Sequence, residues 1–350
     1  MQIDELMATM AERGASAAHL VIGEQPVIRV GGVLERVDSP PIPPTLMDMV
    51  LIRNLTDVQR TNLAQSGYID LSLSHGVTRF VCRIYHQRGQ VAATLRRISS
   101  DVPTLETVAS LPEERTRLGQ LMQFRKGLIL VAGSGGSGRT WLSSALIDHV
   151  NHHANKRIAT IEDPVEFDFR PDKCLITQQL VGHDVESVEA GVKAAQALDA
   201  DIVYISEIAD YATLHAAINL AERGQIVVST IEFPTVATTI RGLFDAYSAS
   251  HPQLREKLSQ TLQAIVSTRL IPTANLRGRV AAFEIMIASL KIRAVIGEGR
   301  WEFGQLVKDG RKMGMQTLDD SLVALCKAGT ITLEEAQHRI SDKTALNELR

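Results

Sequence analysis

The sequence predicts an α/β protein in which a domain with a parallel sheet follows a small α+β domain and ends in a helical region. Three observations support this fold class. Short apolar runs recur between residues 127 and 232 with helical segments between them, as in a parallel sheet that is buried on both faces. Shorter β-rich stretches that partly alternate come before them. After about residue 245 the pattern is mostly helical.

Composition restricts the classes of protein that are compatible with this chain. With 350 residues the chain should form about two domains, and 45% apolar residues are enough for a globular core. The net charge of −3 gives no general attraction to nucleic acid, so no nucleic-acid partner is expected. Three cysteines, Cys82, Cys174 and Cys326, are far apart, which argues against a disulfide framework or a zinc site.

The first residues, MQIDELMATMAERG, follow an acidic amphipathic helix pattern rather than that of a signal peptide. No window approaches the roughly 18 consecutive apolar residues of a membrane-spanning helix. We therefore expect a cytoplasmic protein.

The N-terminal domain is predicted to cover residues 1–98. Its expected strands are HLVIG, QPVIRVGG, GVTRFVCRIYHQ and VAATLRRI, and a proline-marked turn with a helical pattern lies in PPIPPTLMDMVLIRNL. Residues 99–117 carry turn residues and are predicted to be the linker.

The second domain, residues 118–350, contains the predicted parallel sheet. Its expected strands are GLILVAGS, RIATIEDP, DIVYISE and QIVVSTIE, starting at residues 127, 157, 201 and 225. A helix is expected from about Arg139, and two more are expected in ESVEAGVKAAQAL and YATLHAAINLAERG.

The turn after the first of these strands, GSGGSGRT, is nearly a phosphate-binding loop. The P-loop pattern is G-x-x-x-x-G-K-[ST], and Gly133, Gly138 and Thr140 fit its spacing. Its glycines let backbone N–H groups turn towards phosphate oxygens, and the helix behind it attracts the anion. The predicted phosphate ligands are therefore Gly133, Ser134, Gly135, Gly136, Ser137, Gly138, Arg139 and Thr140.

Arg139 occupies the lysine position of this pattern. It keeps the positive charge, but its longer planar fork is not interchangeable with an ammonium group. A glycine-rich turn without a ligand is the simpler alternative, and the flanking strand and helix favour phosphate binding. The hydroxyl of Thr140 is a candidate Mg²⁺ ligand.

Carboxylates follow two further strands of the predicted sheet. Glu162, Asp163 and Glu166 lie in TIEDPVEF, where they can face a nucleotide, hold Mg²⁺ or polarise a water. Glu207 ends the apolar run DADIVYISE, and a glutamate there can orient the attacking water in phosphoryl transfer. Taken singly, TIEDPVEF is more typical of an ordinary acidic turn, and DADIVYISE of a surface acid at a strand end.

Together, in this order, the near P-loop, TIEDPVEF and the strand that ends in Glu207 resemble the secretion ATPases of type II secretion and type IV pili. The likeness is greatest to the pilus-retraction (twitching motility, PilT/PilU-like) group and covers nearly the whole chain. Further matches are GASAAHL, PVIRVGG, RFVCRIYHQRG, QQLVG, RLIP, RGRVAAFEIM and GMQTLDDSL.

This resemblance implies a PAS-like N-terminal domain and a RecA-like P-loop domain that binds ATP and Mg²⁺. It implies a hexameric ring, homomeric or shared with a homologous ATPase, at the inner-membrane face and in contact with a pilus or secretion platform protein. By position, Glu162 and Asp163 form the acidic box, with Glu162 and Thr140 near the metal, and Glu207 is the Walker-B glutamate. Arginines that reach phosphates, some of them in a neighbouring subunit, correspond to Arg79, Arg88 and Arg96.

The chain departs from the family pattern at several charged positions. Gln225 and Glu232 stand where the family has histidines, and an acid near a terminal phosphate repels it rather than stabilising its developing charge. Other expected charged residues are replaced by Ala17, Val81, Ala197 and Ala209. Because one arginine finger can be worth roughly 10³-fold in rate, these losses predict weak hydrolysis.

Three functional hypotheses follow. The chain is an ATPase that powers pilus retraction or a related secretion or conjugation machine, a weakly active subunit that joins or regulates an active ring, or a nucleic-acid motor. The balanced charge and the lack of a basic tract interleaved with aromatic residues count against the third.

Overall fold

The computed structural model describes residues 3–30, 33–47, 55–276, 278–342 and 344–345. The contacts within the chain divide it into two compact units. The first consists of Met1–Asp101, Asp163–Phe169 and Gln179–Ser187, and the second of Val102–Glu162, Arg170–Gln178 and Val188–Arg350. The residues around the acidic box are therefore shared between the units.

The first unit contains an antiparallel six-stranded sheet in the order β3-β2-β1-β6-β5-β4. Its strands are β1 (Ala17–Val21), β2 (Val27–Val30), β3 (Val33–Arg36), β4 (Tyr68–His75), β5 (Thr78–Gln87) and β6 (Gln90–Arg97). Its helices are α1 (Ile3–Glu12), the short α2 (Pro44–Leu46) and α3 (Asp57–Ser66). Strands β3 and β4 are additions to the predicted set.

The core of this unit forms where α1 presents Leu6, Met7 and Met10 to apolar strand residues such as Ile28 and Phe80. This spacing along α1 places the three side chains on one helical face. The predicted helical segment at residues 40–55 includes α2, and its residues 48–54 lie outside the described residues, as do Gly31 and Gly32 of the predicted strand QPVIRVGG.

The second unit contains a seven-stranded sheet in the order β13-β12-β7-β11-β10-β8-β9. Its strands are β7 (Gly127–Ala132), β8 (Arg157–Glu162), β9 (Leu175–Leu180), β10 (Ile202–Ile205), β11 (Ile226–Ile231), β12 (Leu262–Pro272) and β13 (Arg279–Ile287). The first helices are α4 (Leu105–Val108), α5 (Pro112–Leu121), α6 (Arg139–His153), α7 (Val188–Ala197), α8 (Tyr211–Arg223), α9 (Val236–Tyr247) and α10 (Leu254–Thr261).

The last elements of the described part of the chain are α11 (Leu290–Gly297), α12 (Gly304–Asp309), a 3₁₀ turn at Arg311–Met313, α13 (Leu318–Lys327) and α14 (Leu333–Arg339). None of the described helices is long and apolar enough to cross a membrane.

Parallel pairing brings four predicted strands together in the order β7-β11-β10-β8. All residues of β7 and β11 are buried, which explains why their sequences, GLILVA and IVVSTI, are mostly apolar rather than alternating. The predicted α/β class with a parallel sheet is confirmed.

The helical end of the chain begins later than expected. After residue 245, β12 pairs in parallel with β7, and β13 pairs antiparallel with β12. Both strands are rich in buried apolar residues, as in QAIVSTRLIP and RVAAFEIMI, so tertiary pairing and β-branched content outweigh the helical pattern that surrounds them. From Leu290 onwards the described elements are helical.

The predicted linker, residues 99–117, contains α4 and the start of α5, both in the second unit. Glu114 of α5 is almost completely buried, and its Oε1 accepts hydrogen bonds from Ser321 Oγ at 2.6 Å and Gln316 Nε2 at 2.8 Å. This carboxylate therefore connects α5 to the helical end of the chain. Burial raises the pKa of Glu114 above its usual range.

We expect the pH dependence of the free energy of unfolding to reveal the raised pKa of the buried Glu114 carboxyl group. Because the pKa is raised on folding, the folded protein keeps the proton to a higher pH than the unfolded chain, so this group's contribution to stability falls as pH rises above about 4.3. Glu114→Gln, which cannot ionise, should therefore gain free energy of unfolding relative to the wild type as the pH rises above about 4.3. Urea unfolding at several pH values measures this difference.

The exposed neighbour Glu113 provides the control. Glu113→Gln should show a much smaller pH-dependent gain than Glu114→Gln, because the charge of Glu113 raises the pKa of Glu114 less than burial does. A pH-independent difference between Glu114→Gln and the wild type would contradict the raised pKa.

Candidate functional site

The glycine-rich loop connects β7 to α6, and α6 begins at Arg139. Gly136 and Gly138 have left-handed backbone conformations, with φ of +74° and +96°, which side chains rarely adopt. Gly138 is the N-cap of α6, and within the described part of the chain no side chain caps this helix. The N–H groups of the first helical turn therefore remain available to an anion.

The interior of the loop is close-packed at Gly133. A Cβ at this position would lie 2.1 Å from Ser137 Oγ and 2.9 Å from the Thr268 carbonyl oxygen. Ser137 Oγ is buried and has no hydrogen-bond partner among the described residues. The left-handed glycines, the uncapped helix and this unsatisfied hydroxyl together fit a phosphate group.

Arg139 bridges two carboxylates at the helix start. Its Nη1 donates to Glu207 Oε1 at 3.1 Å and its Nη2 to Glu232 Oε2 at 3.2 Å. The Arg139 side chain is only 13% exposed, whereas those of Glu207 and Glu232 are 44% and 61% exposed. The cation at the P-loop lysine position is thus already paired by two anions of the same unit.

Strand register explains why these three residues meet. Ile205 of β10 pairs with Ser229 of β11, and Ile231 of β11 pairs with Ala132 of β7. Parallel strands end at the same edge of a sheet, so the residues that follow them are neighbours. Glu207, Glu232 and the loop that carries Arg139 all follow such strand ends.

Of the acidic-box residues, Glu162 belongs to the second unit and is 3% exposed. Its Oε1 accepts hydrogen bonds from Thr160 Oγ1 at 2.6 Å and Gln178 Nε2 at 3.0 Å. In the part of the chain that the structure describes, no group of three or more His, Cys, Asp or Glu could hold a metal ion. A Mg²⁺ ion at Thr140 and Glu162 would therefore depend on phosphate and water oxygens for its other ligands.

Asp163 belongs to the first unit, where it lies 3.6 Å from Arg83 Nη2. Arg83 also forms a two-pronged pair with the buried Asp70, through Nε at 2.9 Å and Nη2 at 2.6 Å. Burial, followed by the nearby charge of Asp70, raises the pKa of Asp163, and Arg83 opposes that shift. This carboxyl group is thus part of a charged cluster within the first unit.

The three predicted phosphate-binding arginines have separate environments in the first unit. Arg79 Nη1 donates to Asp168 at 2.8 Å. Arg88 has φ of +49° in the two-residue turn between β5 and β6, roughly 30 Å along the extended strand from Arg79. Arg96 lines a cavity of about 260 Å³ together with His19, Asp70, Val81, Arg83, Thr94 and Pro164.

At two of the positions where the chain departs from the family pattern, the residue comes before a strand rather than after it. Gln225 immediately precedes β11 and Ala197 ends α7, whereas Glu232 follows β11, roughly 20 Å from Gln225 along the extended strand. Of the two residues at histidine positions, Glu232 is the one beside the loop.

Sequence reasoning did not identify Thr160, Gln178 and Arg83 as members of the charged clusters. Thr160 lies two residues before Glu162 on the same face of β8, which period-two alternation could have indicated. Arg83 pairs with Asp70 across the β4–β5 hairpin, and Gln178 reaches Glu162 from β9. Both pairs were missed because β4 and β9 were not among the predicted strands.

The fold and loop define a P-loop-type α/β domain with acids at neighbouring strand ends, preceded by an antiparallel α+β unit. The chain belongs to the family of Type II/IV secretion system proteins, whose family model matches residues 1–338. The predicted resemblance to the pilus-retraction ATPase group is confirmed by the relatives that follow.

The chain is 34% identical over 342 residues to the type IV pilus retraction ATPase PilT of Pseudomonas aeruginosa, which covers 97% of this chain and 98% of that protein. It is 30% identical over 353 residues to the type IV pilus ATPase PilU of the same organism, covering 100% and 91%. It is also similar to the crystal structure of the pilus retraction motor PilT with bound ADP, with a TM-score of 0.82, 33% identity and 99% of both chains covered.

The packing of the loop gives a prediction for stability. Gly133→Ala should lower the free energy of unfolding by about 1–3 kcal/mol, because its Cβ would clash with Ser137 and with the Thr268 backbone. At Gly135 the nearest atom to a new Cβ is Glu232 Oε1, at an ordinary 3.6 Å, so Gly135→Ala is the matched control. Thermal unfolding of both variants measures the effect, and equal midpoints would contradict the close packing.

Proposed function

We propose that this chain is a subunit of a hexameric motor ring for type IV pilus retraction or a related secretion system. Family membership and similarity over nearly its whole length to two pilus ATPases support this assignment. The ring would lie in the cytoplasm at the inner-membrane face, as a homo-hexamer or a hetero-hexamer with a homologous ATPase. Its other partner would be the inner-membrane pilus or secretion platform protein, and no nucleic acid is required.

Residues 133–140 are proposed to bind the phosphates of ATP. The left-handed Gly136 and Gly138, the uncapped start of α6 and the unsatisfied Ser137 hydroxyl support this role. Bound ADP in the similar PilT crystal structure is consistent with it. Thr140 and Glu162 are the proposed residues for Mg²⁺, which supplies positive charge to phosphate oxygens when bound.

Weak hydrolysis is proposed on one observation, the sharing of Arg139 between Glu207 and Glu232. A catalytic glutamate must be available to orient a water, and Glu207 is instead paired with the loop cation. Glu232 adds a negative charge beside the loop, where preorganised positive groups would stabilise developing charge. Both effects raise the barrier of the chemical step.

The remaining site residues keep proposed roles. Asp163 would act with Glu162 as the acidic box, and Arg79, Arg88 and Arg96 would contact phosphates, in part those of a neighbouring subunit. Arg79 must first leave Asp168 to do so. We also propose the domain limits 1–98 and 118–350, with residues 99–117 as the linker.

A second candidate function is a catalytically inactive assembly or regulatory subunit of an active homologous ring. The pairing of Arg139 with two carboxylates favours it as well, because such a pair stabilises the loop without a ligand. The two candidates differ in whether the chain turns over ATP when it is alone.

We expect the purified protein to hydrolyse ATP more slowly than about 1 s⁻¹, a rate within the usual enzyme range. It should also form rings, alone or with an intact homologue from the same genome. ATP turnover and native mass, measured for the protein, for the homologue and for their mixture, test both expectations.

Glu207→Gln is the control variant for the turnover measurement. Turnover of about 1 s⁻¹ or faster that this substitution abolishes would contradict weak hydrolysis. A monomer under every condition, with nucleotide and homologue present, would contradict ring assembly.

A further inference from the structure

The Glu232 carboxylate lies over the glycine-rich loop. Its Oε2 accepts the hydrogen bond from Arg139, and its Oε1 lies 3.6 Å from the position that a Cβ on Gly135 would take. Glu232 directly follows β11, whose last residue Ile231 pairs with Ala132 immediately before the loop. The position of this carboxylate therefore follows from strand register, although 61% of the side chain is exposed.

The loop cation is more than neutralised by its own chain. Arg139 carries one positive charge, and Glu207 and Glu232 together carry two negative charges, so the three groups have a net charge of −1 when ionised. Two arms of the guanidinium fork are directed at these carboxylates. A phosphate group that approaches this cation must compete with both.

How strongly a nucleotide competes for Arg139 depends on which of its phosphate groups contacts this cation. The residue at this position of a P-loop reaches the β- and γ-phosphates, and a triphosphate brings its additional negative charge with the γ-phosphate. Glu232 repels that additional charge and also retains a hydrogen bond from Arg139. A diphosphate lacks the γ-phosphate, so it disturbs the hydrogen bonds from Arg139 to Glu207 and Glu232 less.

We propose that Glu232 is a specificity-determining residue that biases the loop towards nucleoside diphosphates and against triphosphates. The proposal rests on the nucleotide binding that we propose for residues 133–140. Glu232 acts as an internal anion that competes with the terminal phosphate for Arg139.

Calorimetric titration of the full-length protein with ADP and with ATP, each with Mg²⁺, tests the proposal. Glu232→Gln keeps the shape of the side chain and removes its charge. Removing the charge removes the repulsion of the γ-phosphate, so this variant should bind ATP more tightly. Because exposed charges are partly screened, we expect the gain to be about fivefold, with less than about twofold change for ADP. The effect should shrink as salt is added.

Glu298→Gln is the matched control. Glu298 is 57% exposed and pairs with Arg300, so it has the exposure and type of partner of Glu232, and it lies at the end of α11 away from the loop. This control should leave both affinities unchanged. It removes the same net charge from the protein.

Two outcomes overturn the proposal in distinguishable ways. If both nucleotides bind but Glu232→Gln leaves the ratio of the two affinities unchanged, specificity does not come from Glu232, while phosphate binding by the loop stands. If neither nucleotide binds to the wild type, to Glu232→Gln or to Glu298→Gln, the proposed nucleotide binding fails as well.

Discussion

The hydrogen bonds from Arg139 to Glu207 and Glu232 depend on the register of three parallel strands. Because β7, β11 and β10 are neighbours in the sheet, the segments that follow them meet at one edge, and Arg139, Glu232 and Glu207 come within hydrogen-bond distance. A one-residue shift in register would turn the buried side chains of a strand to the opposite face of the sheet. The buried apolar strands that fix the register therefore also fix the charges of the candidate site.

This arrangement accounts for a loop that keeps phosphate-binding geometry while its cation is already paired. An arginine suits this role because its planar fork can bond two acceptors at once, which a compact ammonium does less readily. The same network that stabilises the loop without a ligand opposes the arrival of an extra phosphate charge. Under the proposed function, this network favours a role in assembly or nucleotide retention over one in hydrolysis.

Much of the sheet could be predicted because β7, β8, β10 and β11 are short, mostly buried runs with helical segments between them. β12 and β13 were missed because their surroundings look helical and their pairing is decided by the tertiary structure.

Gly133 and Thr140 identify the loop from spacing alone. The pairing of Arg139 could not be predicted, since its partners lie 68 and 93 residues further along the chain. Gln225 directly precedes β11, whereas the loop lies beside the end of that strand. The separation of Gln225 from the loop therefore follows once the direction of β11 is predicted correctly.

A double-mutant cycle on ATP binding tests most directly whether Arg139 and Glu232 act as one unit. It compares the wild type, Arg139→Lys, Glu232→His and the double variant in free energies of binding. Because Glu232 competes for Arg139, each substitution should change the effect of the other, giving a coupling above about 0.5 kcal/mol. Effects that add to within about 0.3–0.5 kcal/mol would show that the two residues act independently and would contradict this account.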